Sequence, residues 1–285
     1  MWMRRQKTGS VMCPSCGLLV GVNDEKCYNC GRLRPGMFGL AHVLRSFGKD
    51  QGFVPFVIGT CVVVYVLTLA MTLMTEGTMF GGGSLFSLLG PSQQALYLFG
   101  ESGAVPVFLA GRWWTVLSAS WLHAGILHIL FNMMALRQLA PAVADMYGTA
   151  RMVIIYVLAG VAGFLLSSVA GAYLPALPFL RGSGFTVGAS ASISGLIGAI
   201  LYYGRRSGSS MASNYATQTA LMLVLYGFFM PGIDNYAHAG GFAGGYLVSQ
   251  VLDPLMPERG NHMMIALGLL GASLLAILAS VITAL

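Results

Sequence analysis

A chain of 285 residues with 8% charged and 56% hydrophobic side chains, and a mean hydropathy of +0.74, cannot cover itself with a water-facing surface, since soluble domains carry about 25% charged residues. The net charge of +6 raises the question of a polyanionic partner, but its distribution along the chain points to membrane topology and excludes nucleic acid. The apolar residues fall in blocks close to the roughly 20 needed to cross a bilayer as a helix, without the alternating pattern of a membrane barrel.

The first unit, residues 1–35, carries two matching knuckles, Cys13-Pro-Ser-Cys16-Gly and Cys27-Tyr-Asn-Cys30-Gly. Each sets two sulfurs on a tight turn, and four thiolates complete a tetrahedral zinc site. Two disulfides or a redox pair are the other uses of this spacing. The segment has almost no apolar core, so metal would supply its folding free energy. Residues 36–52 read as a linker, amphipathic around Arg45 and Lys49, lying on the membrane surface.

Seven spans are then predicted, at about 53–74, 121–141, 151–171, 187–204, 215–230, 234–252 and 263–284. No removable signal peptide is expected, because the first apolar run follows some fifty polar and basic residues. Cys61, in the first span, is read as a packing residue. The polar stretch 75–120 contains Gly81-Gly82-Gly83 and Gly90-Pro91, and ends Gly111-Arg112-Trp113-Trp114. Its tryptophans suit the headgroup region, so the loop should lie half sunk in the outer leaflet.

With the N-terminus inside, thirteen basic residues, including Lys26, Arg32, Arg137, Arg151, Arg205, Arg206 and Arg259, fall on the inner side. Only Arg112 and Arg181 fall outside. This is the bias of the positive-inside rule. It predicts a cytoplasmic N-terminus, an outer C-terminus and a bacterial cytoplasmic membrane. A cytoplasmic knuckle pair favours zinc, since disulfides do not persist there.

Ionisable groups within spans are expensive and mark function. The second span carries His123, His128 and Asn132, the fourth opens Gly188-Ala189-Ser190-Ala191-Ser192, and the sixth opens Asp234-Asn235-Tyr236-Ala237-His238. All three spans run outside to inside. His128 falls about seven residues in, roughly 10 Å, while His238 is one turn in and Ser190 stands at the head of its span. The fourth stretch has about 17 residues, roughly 25 Å, so its start should lie below the outer surface, at the floor of a wet cavity. Small residues at Gly240/Gly244, Gly241/Gly245 and Ser190/Ser194/Gly198 would let backbones approach and bring a His onto a Ser. Taken singly, each group has an ordinary reading: Ser190 bonding its own helix, His238 relaying protons, His128 with Asn132 joining helices. Their shared depth is what suggests chemistry.

Over about 50–252 the sequence resembles the rhomboid family of intramembrane serine proteases. The resemblance rests on Gly111-Arg112-Trp113-Trp114, His123…His128-x-x-x-Asn132, the Ser190 segment and Ala237-His238-Ala239-Gly240-Gly241-x-x-Gly244-Gly245. It implies an all-α polytopic fold with a six-helix core (53–252), a seventh C-terminal helix (253–285) in a 6+1 arrangement, and the zinc-ribbon-like module as an addition. It implies Ser190 as nucleophile, His238 as base, and His128 and Asn132 as oxyanion-stabilising side chains, with Gly195-Leu196 fixing the register on Ser190. Substrates would be transmembrane proteins that unwind locally, cut near the outer membrane face. Structural zinc on Cys13, Cys16, Cys27 and Cys30 is the expected metal, with no cofactor for catalysis and no partner beyond substrate and lipid.

Two departures accompany the resemblance. The Gly that follows the family's nucleophile is Ala191, whose methyl is expected to narrow the oxyanion pocket, and the aromatic residue often found four positions on is Ser194. Asp234 is read as a helix cap, leaving a dyad with no third carboxylate. The alternatives are a catalytically inactive relative that binds membrane clients, and a small transporter with a His relay. The missing inverted repeat and midplane carboxylates speak against the transporter.

Overall fold

The computed structural model describes residues 6–14, 16–39, 52–77, 89–175, 182–230 and 232–284. Residues 40–51 of the expected surface linker, the Gly81-Gly82-Gly83 run and Arg181 lie outside the described residues.

The N-terminal module is a hairpin of β1 (Ser10–Met12) and β2 (Leu19–Gly21), antiparallel with Met12 opposite Leu19. A second, similar turn is closed by a bridge between Lys26 and Leu33. Both knuckles fold alike: Gly17 N–H returns to the Cys13 carbonyl and Gly31 N–H to the Cys27 carbonyl, each at 2.9 Å. The glycines take φ of 78° and 71°, values that side chains with a Cβ resist. Among the described residues, Val11, Val20 and Val22 with Cys13 and Cys27 make its buried cluster, with Cys16 and Met37 packed partly buried against it.

The rest of the described chain is helical: α1 (Phe53–Glu76), α2 (Gln93–Phe99), α3 (Thr115–Ser118), α4 (Ile126–Tyr147), α5 (Thr149–Tyr173), α6 (Ser190–Ser207), α7 (Ser210–Phe229), α8 (Asn235–Val251) and α9 (Gly260–Ala284). Of these, α1, α4, α5 and α9 are long and apolar enough to cross a membrane. This is the all-α architecture of a polytopic membrane protein.

The shorter helices α6 and α8 are less apolar for a packing reason. Every residue of α6 from Ala191 to Leu201 is buried, so α6 is the centre of the bundle and needs no lipid-facing stripe. It packs with α5 and α8 at backbone distance. A Cβ built on Gly241 would stand 2.0 Å from the Ala191 carbonyl oxygen, and one on Gly245 would stand 2.1 Å from that of Gly195. The neighbouring stripe faces a different helix: Gly240 lies against the Ala162 carbonyl and Gly244 against the Ala162 methyl, both on α5. The two overlapping glycine stripes of α8 thus serve two partners.

One predicted boundary needs correction. The second span is expected at about 121–141, but the helix begins at Ile126 and runs to Tyr147. A 3-10 turn, Ala119–Trp121, precedes it, with Leu122 extended at φ −98° and ψ 153°. The Ala119 carbonyl, which accepts from Leu122 N–H at 3.3 Å within this turn, accepts from Gly188 N–H as well, at 3.0 Å. The chain interrupts its helix to reach the segment that leads into α6.

At the opposite end of the bundle, Arg151 is buried and donates through Nη1 to the carbonyls of Leu252, Asp253 and Met256 at 2.8–2.9 Å. The Glu258 carboxylate accepts from the Arg151 backbone N–H at 3.0 Å, and Arg206 pairs with Asp253 at 3.0 Å. The module meets this same end, where Arg32 bonds the Asn261 side chain.

Candidate active site

Three helix N-termini converge at the end remote from the module. Ser190 is the first residue of α6, His238 the fourth of α8 and His128 the third of α4. His128 therefore lies in the first turn of its helix, not two turns down as the predicted span required.

Gly188 makes the entry into α6 possible. Its φ is +129°, open to glycine and strained for other residues. A Cβ there would also come within 2.6 Å of His128 Nε2. The next residue, Ala189, already has helical angles, so Ser190 begins the helix with its hydroxyl at the positive end of the macrodipole.

His238 Nε2 lies 2.9 Å from Ser190 Oγ, within the reach needed for proton transfer. Its other ring nitrogen, Nδ1, is buried without a hydrogen-bond partner. Asp234, the nearest acid in sequence, is otherwise engaged: one carboxylate oxygen accepts from Ala237 N–H at 2.9 Å and the other from the Ser167 hydroxyl. It caps α8, as its position in the sequence indicated. Among the described residues, no carboxylate bonds His238 Nδ1.

His128 Nδ1 accepts from Ala124 N–H at 3.3 Å. A neutral imidazole with Nδ1 as acceptor carries its proton on Nε2, and that nitrogen abuts Gly188 beside Ser190. A hydrogen-bond donor is thereby set beside Ser190. Asn132 sits one turn deeper, and its amide donates to the His128 carbonyl at 2.9 Å. One amide N–H is thus spent within α4. His123 is fully buried with its ring edge-on to that of His128, centroids 5.2 Å apart.

The two departures resolve locally. Ser194 is buried and donates to the Ser190 carbonyl at 2.7 Å. Ala191 is 1% exposed and clusters with Ala119, Phe164 and Ala237. A Cβ built on Gly163 of α5 would lie 2.9 Å from its methyl. The methyl thus points between helices, and the expectation that it narrows the oxyanion pocket is corrected. Ser167 of α5, which ties α5 to the α8 cap, was missed in the sequence. Its signal was a pair of serines, Ser167-Ser168, inside an otherwise apolar span.

The four knuckle cysteines form a second candidate site. Their sulfurs all lie within 4.8 Å of one another, with Cys13–Cys30 at 3.7 Å and Cys16–Cys27 at 3.6 Å. A tetrahedron with Zn–S bonds of about 2.3 Å has edges of about 3.8 Å, so the donor set fits zinc. The Leu18 backbone N–H, followed by Asn29, holds the Cys16 thiol down at about 6, while the Cys30 thiol, against its bond to the Arg32 backbone, is pushed up to about 11 by burial and the neighbouring sulfurs.

A Rhomboid domain family model matches residues 110–254. The chain is 29% identical over 227 residues to RHOMBOID-like protein 4 of Arabidopsis thaliana, covering 73% of this chain and 55% of that one. It is 34% identical over 153 residues to Rhomboid protease GluP of Bacillus subtilis, covering 53% and 28%. It is 32% identical over 143 residues to Putative rhomboid protease YdcA of the same bacterium, covering 49% and 67%. The chain spans 55% and 28% of the first two relatives' lengths. Coming from a plant and a bacterium, these relatives lend no support to a bacterial host in particular.

Proposed function

The chain belongs to the rhomboid family, and from that premise we propose that it is an intramembrane serine endopeptidase working through a Ser190–His238 dyad. The observation that carries the reading is the 2.9 Å approach of His238 Nε2 to Ser190 Oγ at the meeting of two helix N-termini. His238 takes the Ser190 proton as Oγ attacks the scissile carbonyl, then returns it to the leaving amine. The oxyanion is met by the Ser190 backbone N–H, His128 Nε2–H and the second N–H of Asn132.

A charge ruler supports a recessed site. Arg205 lies fifteen residues after Ser190 on α6, about 22 Å along the axis. With Arg205 at the inner boundary of a core about 30 Å thick, Ser190 lies about 8 Å beneath the outer one, on a floor that water would reach from outside. Such a site accepts a transmembrane protein whose helix unwinds locally near the outer face, with small residues at the cut.

The topology that goes with this reading has a cytoplasmic N-terminus, six core spans from 53 to 252 and a seventh after 253. The module at 1–35 binds one structural zinc on Cys13, Cys16, Cys27 and Cys30, on the side away from catalysis.

The test is cleavage of a model transmembrane substrate in liposomes, with fluorophosphonate labelling in parallel. Ser190→Ala and His238→Ala should each abolish cleavage in folded protein, because dyad members act as a unit. Asn132→Ala should slow turnover by about 10²-fold or more while Ser190 still labels. Wild type that neither labels nor cleaves would make the chain a client-binding relative. Cleavage by Ser190→Ala would end the proposal.

A further inference from the structure

The seventh long helix, α9, contributes no group to the chemistry above, yet its C-terminal end is bonded to the loop that borders the nucleophile. Three interactions meet at Ser280. Arg112, 5% exposed, donates from one terminal nitrogen to the Ser280 carbonyl and from the other to the Tyr97 carbonyl, both at 2.8 Å. The Trp114 indole N–H donates to Ser280 Oγ at 3.0 Å. Gly100 completes the fit: at φ +100° it has no Cβ, and one built there would stand 2.4 Å from Ser280 Oγ. A guanidinium buried this far needs its acceptors, and α9 supplies one of the two that hold it.

The connection continues from this junction to the active site through backbone hydrogen bonds. Ser102 and Thr186 exchange N–H···O bonds at 3.0 and 2.7 Å, and Ala104 N–H reaches the Ser183 carbonyl at 2.9 Å. Gly188 N–H reaches the Ala119 carbonyl at 3.0 Å, two residues before the nucleophile. Segment 183–188 is therefore laced along its length to segment 102–119, and 102–119 is anchored on α9.

We propose that Ser280, Arg112 and Trp114 form a strut through which α9 positions the Gly188-Ala189-Ser190 turn, making the seventh helix part of what sets the nucleophile. None of the three touches the reacting atoms; they are positioning residues. The inference rests on the reading of Ser190 as nucleophile.

Ser280→Ala removes only a hydroxyl and Trp114→Phe removes the indole N–H with part of the ring, so each takes one end of the hydrogen bond, and with the double variant they make a cycle that cancels the lost packing. Three quantities are read: kcat and KM on the liposome substrate, the rate of fluorophosphonate labelling of Ser190, and amide exchange at Thr186 and Gly188. Each single variant should lower kcat and the labelling rate by about 3- to 10-fold, the effect of one hydrogen bond, with KM unchanged. The double variant should be no worse than the worse single one, and exchange at both amides should quicken. Arg112→Gln should lower kcat further, and Arg112→Lys should restore part of it, since an ammonium still reaches one carbonyl.

A helix that only anchors the protein would show changed thermal stability with kcat per folded molecule intact, and that result overturns the strut. Wild type that neither labels nor cleaves would sink the protease reading instead. Exchange then decides alone: quicker exchange at Thr186 and Gly188 in the variants sustains the strut, and unchanged exchange removes it. Where Arg112→Gln does not fold, the Ser280/Trp114 cycle carries the test.

Discussion

The helical core and the N-terminal module solve the problem of staying folded in opposite ways. In the core, α5, α6 and α8 are locked by the absence of side chains, with Gly241 and Gly245 seated on the carbonyls of Ala191 and Gly195. In the module, the buried cluster among the described residues is three valines and two cysteines, far below what holds a domain of that size without a staple. The core is therefore sensitive to one added carbon anywhere along its seam. The module, with so little buried apolar surface, should depend above all on its four sulfurs.

The sharpest way to break the comparison is to add a side chain at the seam. Gly241→Val would force a Cβ to within 2.0 Å of a backbone oxygen, a clash that only helix separation relieves. We expect destabilisation on the order of 3 kcal/mol or more. His238 should also move out of reach of Ser190, because α8 carries it. Gly268→Ala on α9, where a Cβ meets nothing within 4 Å, is the control. It should fold as wild type or gain up to about 1 kcal/mol in helix propensity. Thermal unfolding in detergent compares the two, and equal effects would discount the seam.

The module is tested by removing metal. One zinc per chain is expected by elemental analysis, and Cys13→Ser should lose it, with residues 6–39 becoming protease-sensitive. The core should keep its melting temperature and its cleavage rate, since the sulfurs and the dyad lie at opposite ends of the bundle. A chelator that stopped cleavage would show the two regions to be one cooperative unit.

Much of this was legible in the sequence because each signal was local. Each predicted span has a helix that begins within about five residues of it, and the Ser190, His128 and His238 segments stand out as polar groups in apolar runs. What was not legible depends on rotation and partner choice. The stripes on α8 announced close packing, but not that Gly240 faces α5 while Gly241 faces α6. The start of α4 was misplaced because Trp121-Leu122 continues the apolar run, whereas the chain there makes a 3-10 turn whose Ala119 carbonyl accepts from Gly188. Arg112, counted among the outer charges, is buried under hydrogen bonds to Tyr97 and Ser280, which lie 15 and 168 residues away.

Within the loop between α1 and α4, Glu101 gives a pH handle. It is 2% exposed, and burial pushes its carboxyl up to about 8, with Arg112 and Gln93 pulling the other way. A folded-state value above the ordinary 4.5 means the folded form binds the proton more tightly. Its contribution is full below about 4.5 and drains away as pH rises toward 8. At about 1.4 kcal/mol per unit, the loss should be on the order of 5 kcal/mol across that window, and Glu101→Gln, neutral throughout, should flatten it. Melting temperature against pH for both proteins checks this, and parallel curves would refute it.

The smallest expected effect concerns Ala191, where the chain departs from the family pattern beside Ser190. Its methyl is packed among Ala119, Phe164 and Ala237, against Gly163 of α5, so it belongs to the seam and not to the cavity. Replacing it with glycine removes one buried methyl, about 0.8 kcal/mol, and up to about 1 kcal/mol of helix propensity. Ala191→Gly should therefore lower stability by about 1–2 kcal/mol and leave the ratio of rates on bulky and small cut-site residues unchanged. The measurement pairs a melting curve with cleavage of two substrates that differ only at the cut site. A variant that gained on the bulky substrate without losing stability would return the methyl to the oxyanion pocket. One that lost stability at constant selectivity would mean that a residue next to the nucleophile serves the packing of α5 against α6, and that the family's glycine can be exchanged for alanine wherever α5 offers a bare backbone opposite it.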